Sequence, residues 1–227
     1  MTNSATPTDA NRDGGPLTAV VALSEISDPI EAAAAYRQAI RDAYWNERDV
    51  AQVITLAHAG FGAALAAAAR AADAETAYAL RSEAKAMCYD LASFTWSGWG
   101  EPDLSISLDQ EAVGLEAARE NLRLARGLDK GALPISRALW MLGAHLAAAR
   151  DYQDATDRLN EAAAAAREAE AEDEAALADA FVALVGVLAG YAKSEQLLEE
   201  QMVALRTFEG GEGLAGQVTT AHTALDR

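Results

Sequence analysis

A pair of helix-forming segments joined by a tight turn, within residues 136–169, constrains the fold more strongly than any other part of the chain. Apolar residues in both segments recur three and four positions apart, a spacing that places side chains on one face of a helix. Asp151 lies in the turn, and aspartate is a favoured N-cap residue for the helix that follows. The stretch therefore predicts a helical hairpin with two apolar inner faces. These faces comprise Leu142, Gly143 and Leu146 in the first segment and Ala155, Leu159 and Ala162 in the second.

This hairpin resembles one tetratricopeptide repeat. The resemblance rests on the Leu142-Gly143 pair, a large apolar residue one turn later, an Asp-Tyr turn, and then alanine, a large residue and alanine. A less complete copy follows, because Gly186 lies 43 positions after Gly143. That period exceeds the roughly 34 residues common in the family, which implies longer helices. The sequence departs from the family at Arg150, where a glycine often ends the first helix, and at Leu159, where the motif has an aromatic residue.

The resemblance covers residues 30–209 and implies an all-α fold. In this family, antiparallel helix pairs stack into an α-solenoid, and we expect about four pairs plus a C-terminal capping helix here. Residues 28–209 would form the repeat domain and residues 210–227 the capping helix. Residues 1–27 are rich in Thr, Asn, Ser, Asp, Gly and Pro, which predicts a disordered tail with one docked segment. A more general bundle of helix pairs is the alternative fold.

Apolar periodicity and capping residues also place the other helices. The patterns predict helices over about 29–46, 49–70, 73–95, 106–127 and 172–191, another starting at Ser194, and a last one over about 214–225. Asp28 before Pro29 and Asp49 before Val50 are the clearest helix starts. Gly60 and Gly62 lie inside the second helix, and we expect a neighbouring helix to approach closely there.

Composition narrows the partners and the compartment. The net charge is −17, so nucleic acid and an anionic membrane are disfavoured as partners, whereas a basic partner is compatible. Cys88 is the only cysteine, which excludes an intrachain disulfide and favours a reducing compartment. No apolar run approaches the roughly 20 residues of a membrane span, and no basic segment precedes the first apolar stretch. The expected location is the cytoplasm.

The resemblance implies a concave groove, lined by the first helix of each pair, that binds a peptide or a partner helix. A groove with basic residues and an aromatic side chain would suit an acidic peptide or a C-terminal carboxylate. The alternative is that the basic residues are solvated and Trp140 lies in the core. The candidate groove residues are Arg81, Lys85, Arg137, Trp140 and Tyr191.

A second candidate is the Gly- and Trp-rich loop over residues 97–103, which Trp96 flanks and which contains Trp99. Glu101 and Asp103 follow in the same loop. Exposed tryptophans often anchor protein interfaces, so Trp96 and Trp99 are candidate partner-binding residues. The alternative is that both indoles close the end of the helix stack.

The sequence offers little for catalysis. His58, His145 and His222 have no partner at metal-ligand spacing, and Cys88 lies on an apolar helix stripe, as a core thiol does. We therefore expect no metal, no cofactor and no enzymatic activity, and predict a non-catalytic adaptor that binds another protein. The alternative is an enzyme or small-molecule binder with a pocket among the third to fifth helices, near His145, Trp140 and the Trp99 loop. An oligomeric structural role is a third alternative, and a homo-oligomer is compatible with the sequence.

Overall fold

A computed structural model describes residues 17–226, and every regular element in that range is a helix. The all-α class is therefore confirmed for the described part of the chain. The first helix, α1, covers residues 17–24, and Ser97–Trp99 forms one turn of 3₁₀-helix. The other helices are α2 (Pro29–Trp45), α3 (Val50–Ala68), α4 (Ala74–Phe94), α5 (Leu108–Gly127), α6 (Ala132–Ala148), α7 (Tyr152–Glu168), α8 (Glu172–Leu188), α9 (Ser194–Leu205) and α10 (Gly211–Leu225).

The chain forms two compact units that divide between Phe94 and Thr95. The division falls inside the range 28–209 that we predicted as one repeat domain. Of the predicted tail, residues 1–16 lie outside the described residues, while residues 17–24 are the docked segment, α1.

In the first unit, α2, α3 and α4 pack against one another pairwise. Asp28 caps α2 as predicted, because its carboxylate accepts hydrogen bonds from the backbone N–H groups of Ile30 and Glu31. The hydroxyl group of Tyr36 on α2 donates a hydrogen bond to the Val20 carbonyl, 3.1 Å away, and so ties α1 to the unit.

Helix α3 bears on two expectations: that no apolar run is long enough to span a membrane, and that a neighbouring helix approaches closely at Gly60 and Gly62. Its 19 residues are long and apolar enough, by length and composition alone, to cross a membrane, so the expectation that no apolar run approaches such a length is wrong. The same helix packs against α2 and α4, as the core helix of a folded unit does. A Cβ atom at Gly60 would lie 2.7 Å from Met87 Sδ and 2.8 Å from Tyr36 Cβ, so the predicted close approach is confirmed there. It is wrong for Gly62, where a Cβ atom would have no neighbour within 4 Å.

In the second unit, α5 to α9 each pack against the next helix in the chain, and α10 returns to pack against α8, α9 and the 3₁₀ turn. The α6–α7 contact uses the predicted apolar faces. A Cβ atom at Gly143 would lie 2.6 Å from Leu159 Cγ, and Ser136 Oγ donates a 2.8 Å hydrogen bond to the Ala162 carbonyl. Helix α6 begins upstream of Pro134, since proline is tolerated in the first turn of a helix.

One turn geometry recurs four times in this unit. Asp129, Arg150, Glu170 and Gly190 all have positive φ, and they lie 20 or 21 positions apart. After each of them, the next backbone N–H donates to the carbonyl oxygen five residues earlier, as in the Schellman motif that ends many helices. Arg150 thus takes the left-handed conformation for which the repeat family often uses glycine. Asp151 occupies the N-cap position of α7, but its side chain makes no capping hydrogen bond, contrary to prediction.

Candidate binding groove

The segment between Phe94 and α5 is held in shape by two glycines. Gly100 has φ +58°, and its backbone N–H donates a 3.0 Å hydrogen bond to the Ser97 carbonyl. A Cβ atom at Gly98 would collide with the indole of Trp96. The turn that follows is closed by the N–H of Leu104, which donates to the Glu101 carbonyl at 3.2 Å. The glycines of this loop are therefore required by its geometry.

Trp96 anchors the loop to the core of the second unit. Its side chain is 1% exposed, and its indole Nε1 donates a hydrogen bond to the Ala144 carbonyl on α6, 3.1 Å away. The Trp96 ring lies edge-on to Trp99, with ring centroids 4.9 Å apart, and 5.7 Å from Trp140. Trp140 in turn contacts Phe181 on α8 at 5.0 Å. Three tryptophans and one phenylalanine therefore fix the loop against α6 and α8.

A groove of about 690 Å³ lies between this loop and α10. We call it the α10 groove. One wall is formed by residues 97 and 100–106, and the other by Thr219, Thr220, Thr223 and Ala224. The walls meet where Gly100 approaches α10, since a Cβ atom at Gly100 would lie 2.7 Å from Thr220 Cγ2.

The lining of the α10 groove mixes apolar residues, such as Leu104 and Ile106, with polar ones, and its charged residues are acidic. Glu101 is half-buried and Asp103 is exposed, and both line the groove. Five hydroxyl-bearing side chains line it as well. Within the described part of the chain, the lining includes no lysine or arginine. The hydroxyl-bearing residues are Ser97, Ser105, Thr219, Thr220 and Thr223.

The first unit has a smaller pocket of about 240 Å³, bounded by the α1–α2 connection, α2 and α3. Small and apolar side chains such as Leu23 and Ala64 make up most of its lining, together with Tyr36. Burial raises the pKa of the Tyr36 phenol above its ordinary value of 10.0, because desolvation disfavours the phenolate. Ser24, Ser27 and Arg70 also line the pocket, and the Tyr36 hydroxyl already donates to the Val20 carbonyl.

The structure distributes the predicted groove residues over both units. Arg81 is exposed on α4 of the first unit, and Lys85 Nζ lies 5.5 Å from the ring centroid of Tyr89 on the same helix. Arg137 and Trp140 belong to α6 of the second unit, and Tyr191, 57% exposed, follows α8.

Two of these predicted groove residues, Arg137 and Trp140, already make contacts inside the second unit. The guanidinium of Arg137 forms a bidentate ion pair with Glu174, with Nε 2.8 Å from Oε1. Trp140 is 8% exposed and packs among the other core aromatics. Trp96 is buried as well. Trp99 is half-buried, so of the two loop tryptophans it is the one with side-chain surface accessible to a partner.

Of the residues considered for catalysis, Cys88 and His145 lie in the core, whereas His58 is exposed on α3 and His222 is half-buried on α10. Cys88 is fully buried on α4. His145 is buried on α6 against Gly114, where an added Cβ atom would collide with the imidazole and with Thr95. Among residues 17–226, no group of three or more His, Cys, Asp or Glu side chains is arranged to hold a metal ion.

Sequence reasoning singled out Trp99, Glu101 and Asp103 but missed the helical wall of the groove. That wall is a row of threonines, Thr219, Thr220 and Thr223, on the last helix. Three threonines within five positions of the predicted C-terminal helix were the available signal.

No protein-family model matches this chain, and a search of curated proteins also finds no match.

Proposed function

We propose that this chain is a non-catalytic adaptor, built as a tetratricopeptide-like α-solenoid, that binds a segment of a partner protein. The recurrence of one left-handed turn at Asp129, Arg150, Glu170 and Gly190 supports the repeat architecture, because stacked repeats place the same structural feature at a regular interval along the chain. A location in the cytoplasm is part of the proposal.

The single observation that carries the proposal is the α10 groove itself. Its loop wall is fixed from behind by the Trp96 hydrogen bond and by the ring contacts of Trp99, so the groove exists before any partner binds. A preformed surface spends little binding free energy on ordering. The other wall is a helix whose exposed threonine hydroxyl oxygens can accept hydrogen bonds from peptide N–H groups. The hydroxyl groups of Thr219 and Thr223 themselves donate to the Ala215 and Thr219 carbonyls of the same helix.

The α10 groove supports this role better than the basic surface that the family resemblance implied. Arg137 already binds Glu174, so a carboxylate of a partner would have to displace an ion pair inside the unit. The rival function, an enzyme or small-molecule binder near His145 and Trp140, would use side chains that are both buried and that do not line the groove.

The test is capture of partners by a chain whose groove is filled. Thr223 is exposed on the groove wall, so Thr223→Trp places an indole in the groove without disturbing the core. Proteins retained from a lysate of the source cells by wild-type chain are compared with those retained by this variant. We expect at least one protein to be retained by the wild type and lost from Thr223→Trp.

Val203→Trp is the matched control. Val203 lies on α9, outside the groove, and is 60% exposed, so an indole there meets solvent. This variant should retain the same proteins as the wild type. Retention of an identical set by all three chains, with unchanged circular dichroism, would contradict the proposed site.

A further inference from the structure

We infer that the occupant of the α10 groove is a peptide segment that carries lysine or arginine side chains. This inference rests on the proposed adaptor function and adds the chemical class of the partner. Both the shape and the charge of the groove favour such an occupant.

The shape of the α10 groove suits a short stretch of polypeptide. Its volume of about 690 Å³ falls within the range of binding pockets, roughly 300–1,000 Å³. The groove is a cleft with two unlike walls: a loop fixed by the core tryptophans and a helix face bearing threonines. The Thr219 and Thr223 hydroxyls donate to carbonyls of their own helix, and their oxygens can accept hydrogen bonds from peptide N–H groups. Because every residue except proline carries an N–H group, this contact does not depend on the sequence of the bound segment.

The two carboxylates of the loop wall favour a basic segment over an acidic or neutral one. Glu101 and Asp103 stand two positions apart on the loop wall, on either side of Pro102, and both line the groove. Ammonium and guanidinium groups bind carboxylates through charge-assisted hydrogen bonds, which are about twice as strong as neutral ones. No described residue of the lining carries a positive charge that would favour an acidic occupant instead.

The electrostatic field of the whole chain also favours a cationic occupant. The net charge of −17 attracts a cationic segment from a distance and repels an acidic one. Association should therefore slow and weaken as salt is added, because exposed charges are screened over about 10 Å at 0.1 M ionic strength. Binding of an acidic occupant would strengthen as salt is added, and binding of a neutral occupant would not depend on salt.

The experiment measures binding of the full-length chain to three probes by calorimetry. The probes are a short peptide alternating lysine with serine, the same peptide with glutamate for lysine, and spermidine as a small amine. We expect the lysine peptide to bind and the glutamate peptide not to bind. Spermidine should bind more weakly than the lysine peptide, since it lacks a backbone for the threonine wall.

The double substitution Glu101→Gln with Asp103→Asn should weaken binding of the lysine peptide about tenfold, the combined effect of two partly exposed ion pairs. The control, Asp173→Asn with Glu199→Gln, removes the same charge from exposed sites outside the groove and should change affinity less than twofold. Equal weakening by both pairs would overturn the inference, because it would show a general field effect. So would binding of both peptides alike, or equal affinity for spermidine.

The inference and the proposed function fail in distinguishable ways. If no lysine peptide binds, yet Thr223→Trp still loses a captured protein, the occupant is not basic and the adaptor function stands. If the filled groove also retains every protein that the wild type retains, the groove is not the docking site and both proposals fail.

Discussion

The indole Nε1 of Trp96 donates a hydrogen bond to the carbonyl oxygen of Ala144, at 3.1 Å, and this contact joins the loop before α5 to the C-terminal half of α6. The two residues are 48 positions apart in the chain. Because Trp96 also touches Trp99 and Trp140, one side chain holds the loop wall of the α10 groove in place.

Trp96→Phe should destabilise the second unit by about 1–3 kcal/mol. The substitution removes the hydrogen bond to Ala144 and leaves a small cavity in a packed core. The measurement is urea unfolding followed by circular dichroism. Trp45→Phe is the control, since Trp45 is 60% exposed and its replacement should change the free energy of unfolding by less than about 0.5 kcal/mol. Equal effects of the two substitutions would show that the Trp96 contact contributes no stability.

Gly143→Leu should destabilise the chain by about 1–3 kcal/mol, because the added side chain would overlap Leu159 and force α6 and α7 apart. Gly216→Ala should have the opposite sign and raise stability by about 0.5–1 kcal/mol, since Gly216 lies inside α10 with open space around it. Thermal unfolding distinguishes the two. An unchanged melting temperature for Gly143→Leu would mean that residue 143 is not at a helix contact.

Glu170→Gly should stabilise the turn between α7 and α8. Glu170 has φ +57°, a conformation that costs a non-glycine residue about 1–2 kcal/mol. Glycine removes this cost, but its greater freedom in the unfolded chain offsets part of the gain. We expect a net gain of about 0.5–1 kcal/mol in the free energy of unfolding. Glu170→Val should lower it, because β-branched residues tolerate positive φ poorly. The reverse order of the two variants in urea unfolding would contradict the left-handed turn.

Alkaline pH should weaken the first unit through Tyr36. The pKa of this phenol is raised above 10.0 in the folded state by burial, so its contribution is complete below pH 10 and is lost as pH rises through the raised pKa. Tyr36→Phe removes the titrating group and should flatten stability above pH 10. The measurement is the melting temperature against pH for both chains. Parallel alkaline limbs would show that Tyr36 is not the group responsible.

Helix positions could be predicted from local patterns because their causes are local. Asp28 and Asp49 cap α2 and α3 through hydrogen bonds to N–H groups two or three residues away, and both were identified from sequence. The inner faces of α6 and α7 follow from spacing alone. The turn at Arg150 was harder, because the left-handed conformation of an arginine has no sequence signature comparable to that of glycine.

The α10 groove could be predicted only in part, because its two walls are far apart in the chain. Composition drew attention to the loop of Trp99, Glu101 and Asp103, yet nothing local shows that Gly100 meets Thr220. Burial of Trp96 could not be predicted from the sequence either, because tryptophan occurs both in protein cores and at protein interfaces. Such contacts depend on how α10 returns to the loop, and therefore on tertiary packing.

The central claim is that a partner protein binds in the α10 groove, and amide hydrogen exchange tests it most directly. Exchange is measured for the full chain alone and when saturated with the protein that the wild type captures and Thr223→Trp does not. We predict slower exchange on both walls, over residues 100–106 and 219–224, with the α4 segment around Arg81 and the α6 segment around Arg137 unchanged. Protection of those two segments, with both groove walls exchanging as in the chain alone, would contradict the account.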